Sequence, residues 1–77
     1  MILYYAVISF CLTNCHSIEN MERLVYKDSL SYDECLVKLE EMTQFIREEI
    51  PDIKHRPISQ LCTREDLLKN KDDYKSF

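Results

Sequence analysis

The side chains in this 77-residue chain best suited to chemistry are four cysteines, two histidines and a set of carboxylates. The cysteines are spaced Cys11-x3-Cys15, then Cys35, then Cys62. Three chemistries fit. The first is a pair of disulfides, for which four cysteines allow three pairings. If the first and last strands are neighbours, Cys11–Cys62 is a cross-strand bridge and Cys15 reaches Cys35. Each loop closed in this way would contribute about 3–4 kcal/mol by restricting the unfolded chain. The second is zinc, held by cysteines with His16 or His55. Zinc knuckles favour C-x2-C held by tight turns, and this chain has neither that spacing nor any glycine. The third is four free thiols acting as small core residues, as expected in a reducing cytoplasm. Cys35 stands near a helix start, a position that lowers a thiol pKa. No base is fixed beside it in sequence, however, and no oxyanion loop is evident. The expectation is therefore four structural cysteines (Cys11, Cys15, Cys35, Cys62), with no catalytic residue, no metal and no cofactor.

The carboxylates cluster at Glu40-Glu41, Glu48-Glu49 and Asp52. Spaced this way they could imitate DNA phosphates and occupy the basic groove of a nuclease. The plainer reading, a solvated helix face balanced by Lys38 and Arg47, is the favoured one. His16 and His55 read as exposed loop residues. Among the five tyrosines, Tyr4 and Tyr5 suit either rigid interface contacts or an ordinary strand. Tyr4, Tyr5, Glu40, Glu41 and Glu48 form the candidate partner-binding set.

Composition removes several functions. Without glycine there is no Walker loop, no dinucleotide fingerprint and no nucleophile elbow, since each needs backbone room that only glycine provides. A net charge of −4 and a pI near 5.0 argue against nucleic-acid binding, whose electrostatics run the other way. They permit a basic partner. A chain of this length makes one small domain with a thin stability margin.

The scaffold for these side chains is read from periodicity. Residues 2–12 are apolar except for Ser9 and rich in β-branched and aromatic types, so they read as a strand. The run is too short to span a bilayer. It lacks the basic flank and cleavage site of a secretory signal, so it is expected to be part of the fold. Its two faces, Tyr5-Val7-Ser9-Cys11 and Tyr4-Ala6-Ile8-Phe10, are both apolar, which predicts an interior strand covered on each side. Asn14, Asn20 and Asp28 suit the turns. A second, looser strand is expected over Met21–Lys27, joined to the first as a hairpin. Ser31-Tyr32-Asp33-Glu34 is a capping box, and it opens a helix whose apolar stripe runs through Cys35, Leu36, Leu39, Met42, Phe45, Ile46 and Ile50 until Pro51 stops it. Ile58–Thr63 reads as a third short strand. The predicted fold is α+β, with the order β-β-α-β and one helix packed on a three-stranded antiparallel sheet. Residues 1–64 form the domain, and 65–77 form a partly helical or disordered C-terminal segment. One helix covers only one sheet face, so the far face needs a cover: the C-terminal segment, a second copy of the chain, or a target.

"AVISFCLTNC", a strand ending in "LVY", "DEC" opening a helix and a late cysteine in "QLCTRE" resemble a group of small uncharacterised proteins of tailed phages and enteric prophages. The resemblance spans about residues 2–64. It departs in lacking a glycine beside Asn14 and in a longer segment between Glu40 and Pro57. It implies a viral accessory protein acting on a host component in the host cytoplasm. The functional expectation is a non-enzymatic protein that binds and modulates or inhibits a host protein, such as a nuclease or defence factor. The alternatives are a homodimeric structural module or a zinc- or redox-responsive cysteine module. Neither direct nucleic-acid binding nor membrane association is expected.

Overall fold

The computed structural model describes residues 2–12, 15–16, 21–53, 56–68 and 74–77. Within them lie β1 (Tyr4–Cys11), β2 (Met21–Val25), α1 (Tyr32–Glu49), β3 (Ser59–Arg64) and β4 (Lys75–Ser76). Short 3-10 turns occupy Pro51–Ile53 and Glu65–Leu67.

The broad class is the predicted α+β, but the sheet differs from expectation. It has four strands in the order β3-β1-β2-β4 and is mixed rather than wholly antiparallel. β1 pairs antiparallel with β2 (Val7↔Val25, Cys11↔Met21) and with β3 (Tyr4↔Arg64, Ser9↔Ser59). β4 comes from the C-terminal segment and lies parallel to β2, with Leu24↔Lys75 and Val25↔Ser76. Two residues are too few to leave a periodic signature, which is why alternation did not reveal β4. Its anchors are visible instead: Phe77 N–H donates to Val25 O at 3.0 Å, and Lys75 Nζ bonds Glu22 Oε2 at 2.7 Å.

α1 starts where its cap predicts. Ser31 is extended and its Oγ accepts from Glu34 N–H at 3.4 Å, serving one of the amides the first turn leaves unpaired. Asp33 and Glu34 suit the positive end of the helix. Ile50 N–H still donates to Ile46 O (2.9 Å) before Pro51 begins a tighter turn.

The core lies between α1 and one face of β1. Ala6, Ile8 and Phe10 meet Cys35, Leu39, Met42 and Ile46, with Ile53 closing one end. The helix spacing there is four, three, four, a narrower stripe than predicted. Leu36 (44 % exposed) and Phe45 (49 %) fall on its flanks. Phe45 is met edge-on by Phe77, ring centroids 5.4 Å apart. The far face is less bare than one helix implies. Val7 and Val25, whose shared parity turns them from the helix, are 5 % and 3 % exposed within this chain. Its centre therefore requires no partner.

The cysteines pair as Cys11–Cys15 and Cys35–Cys62, with Cα–Cα distances of 5.7 and 6.1 Å. This corrects the expected Cys11–Cys62 and Cys15–Cys35 bridges. β1 and β3 are neighbours, as that pairing assumed, but Cys62 stands opposite Ala6. Cys11 is five residues further along and on the opposite face, about 16 Å away at the rise of a strand. Cys62 shares the helix face, where fully buried Cys35 meets it.

Loop closure gives the two bridges unequal weight: about 3.6 kcal/mol for the long loop and about 2 kcal/mol for the short one. A Cys35→Ala/Cys62→Ala variant should thus lose more stability in urea unfolding than Cys11→Ala/Cys15→Ala. Equal losses would contradict the assignment.

Candidate functional site

The sheet ends on one side at β3, and its pairing pattern decides what that side offers. Glu65 N–H donates to Leu3 O at 3.0 Å, so positions 3 and 65 form a hydrogen-bonded pair. In an antiparallel ladder such pairs recur every second residue. Ser59, Leu61 and Thr63 therefore spend their backbone groups on β1. Gln60, Cys62 and Arg64 turn theirs outward. Tyr4 and Ala6 confirm the parity from within β1, because they bond instead to Leu30 and Tyr26 on the β2 side. Among the described residues, the outward groups of β3 have no partner.

Side chains frame this edge on both faces. Leu61, opposite Val7, projects to the far face and is 58 % exposed. On the helix face, Gln60 Nε2 donates to Thr43 Oγ1 at 2.7 Å and ties β3 to α1. Leu36 lies about two helical turns before Thr43 on the same flank. An open groove of about 590 Å³ lies between α1 and β3, lined by Glu40, Thr43, Arg47, Glu48 and Gln60. Arg47 donates to the carbonyls of Ile53 (3.0 Å) and Arg56 (3.4 Å), binding the 3-10 turn to the last helical turn.

The predicted partner-binding residues do not form one site. Glu40 and Glu48 share the groove beside β3. Glu41 bonds Lys38 Nζ at 2.8 Å and lines a second groove with Tyr26 and Val37. Lys38 also sits 4.6 Å above the Tyr26 ring. Tyr4, half-buried on the helix face, meets Tyr32 edge-on at 5.3 Å. Tyr5 is half-buried on the opposite face beside Thr63. Sequence reasoning missed Gln60, Leu61 and Arg64. The signal was a proline-free stretch whose one charge, Arg64, stands at its end, and it becomes meaningful only once β3 is known to be an edge.

His16 is exposed, and His55 lies outside the described residues. Asn14 and Asn20 also lie outside them, whereas Asp28 sits in a bend. Among the described residues, no group of three or more His, Cys, Asp or Glu side chains could hold a metal, and no helix is long and apolar enough to cross a membrane.

The hydrogen bond to Glu41, with the carboxylate's charge, raises the Lys38 pKa above its ordinary 10.5. A raised amine pKa stabilises the fold in full below 10.5, and the contribution fades only as pH climbs through the higher folded value. In an NMR titration Lys38 should titrate above 10.5 and move back toward it in Glu41→Gln. No family model, curated protein or solved structure matches this chain.

Proposed function

We propose that the chain is a small non-enzymatic binding protein, of the viral accessory kind its sequence resembles, which holds an extended segment of a host protein along β3. The observation that carries this reading is the open outer edge of Ser59–Arg64. A strand's unpaired N–H and C=O groups are a template for another strand, and main-chain bonds supply affinity in this mode of recognition. Protective devices are scarce at this edge. It contains no proline, and its one charge, Arg64, stands at the end, where it bonds Asp66 at 3.2 Å.

Charge supports a partner of different sequence. Two copies of a chain carrying −4 repel one another, and Glu40 and Glu48 flank the edge from the helix side. A segment with alternating apolar residues and nearby lysines or arginines matches Leu61, Leu36 and those carboxylates. Bound in this way, the target segment is masked from its own partners, which is how binding becomes inhibition.

The test uses a substitution that blocks the edge and spares the ladder. Gln60 N–H faces outward, so Gln60→Pro removes an outward donor and leaves β1 pairing intact. Leu61→Lys places a charge on the same edge and serves as a second variant. Host proteins captured by the wild type should be lost by both variants, with circular dichroism unchanged. Capture that survives both substitutions defeats the reading. So does light scattering that finds a particle of twice 9.3 kDa that Gln60→Pro dissociates, because the edge would then belong to a second copy.

A further inference from the structure

The two disulfides stand in opposite environments. Cys35 is fully buried and its bridge to Cys62 crosses the core. Cys11 ends β1 at 8 % exposure, whereas Cys15 is exposed in the turn beyond. The Arg56 guanidinium lies against that outer bridge, its Nη1 3.1 Å from Cys15 Sγ. Its placement is built. Arg56 N–H donates to Ile53 O (3.0 Å), and its own carbonyl accepts from Arg47 Nη1, rooted in α1. Among the described residues, no carboxylate pairs with Arg56. Beside the sulfurs is a cavity of about 360 Å³, bordered by Met21, Pro57 and Ser59.

We infer that Cys11–Cys15 is a reversible thiol–disulfide exchange site for dithiols, with Cys15 as the exchanging sulfur and Arg56 as the cation that holds its thiolate. An exposed cysteine beside a cation and a buried partner cysteine divide the work of such a pair. A partner thiolate attacks Cys15 Sγ from the cavity. The Cys11–Cys15 bond breaks, and Cys11 leaves with the electron pair and takes a proton from solvent. The partner's second thiolate then attacks its own sulfur in the mixed disulfide and releases Cys15 as a thiolate beside Arg56. Two electrons pass from the dithiol, which becomes a disulfide, to the protein, which becomes a dithiol. The reverse sequence oxidises the pair. Arg47 is a positioning residue, acting through the Arg56 backbone. Cys35–Cys62 remains closed throughout.

A guanidinium against a thiolate stabilises the reduced form and so makes the bridge easier to reduce. The test equilibrates the full chain in graded dithiothreitol and glutathione buffers at pH 7, traps free thiols by alkylation and weighs the peptides. Cys11–Cys15 should open under milder conditions than Cys35–Cys62, with circular dichroism retained. Arg56→Gln should make it about tenfold harder to reduce at equilibrium, and Arg56→Lys should recover part of that shift. In Cys11→Ser, Cys15 should form a mixed disulfide with oxidised glutathione faster than Cys11 does in Cys15→Ser. Reduction of both bridges together, an Arg56→Gln equilibrium equal to the wild type, or faster reaction at Cys11 would each overturn the inference.

Discussion

β1 gives its odd-numbered backbone groups to β3 and its even-numbered ones to β2, and its side chains divide by the same parity between two buried faces. That alternation governs the rest of the architecture. Even positions Ala6, Ile8 and Phe10 make the floor on which α1 rests. The register with β3 then sets Cys62 opposite Ala6 and under the helix. A slip of one residue would turn every side chain to the other face, separate Cys62 from Cys35 and exchange which β3 groups point outward.

A core this small leaves little margin, and the molecule meets that limit with ties rather than volume. Ile53, held by the 3-10 turn after Pro51, closes one end of the core at full burial. Arg47 fastens that turn to the helix through two carbonyls. Gln60 and Thr43 join strand to helix, and Phe77 brings the C-terminal strand over Phe45. These links are polar or edge-on aromatic. They occur where the apolar stripe of α1 is too narrow to reach both sheet margins.

The helix, its cap and the strand character of residues 4–11 were legible because each rests on a short-range rule. Ser31 caps where a hydroxyl precedes an acidic first turn, and Pro51 stops the helix two residues after Glu49. What escaped is long-range. Strand order is not encoded in any one strand, so spacing alone could reveal neither the exposed margin at β3 nor the face occupied by Cys62. β4 is too short to carry a pattern, and the cysteine pairing follows from register. The candidate carboxylates show the same division. Glu40 and Glu48 lie within reach of one groove, while Glu41, next in sequence to Glu40, lines another because each helical residue turns about 100° from the last.

The Cys35–Cys62 bridge has a mechanical consequence. An outermost strand is ordinarily the first to peel when a sheet is pulled, since it is zipped along one side only. Here the middle of that strand is riveted covalently to the opening turn of the helix. Tension on β3 is thus shared with the layer beneath before its ladder can unzip.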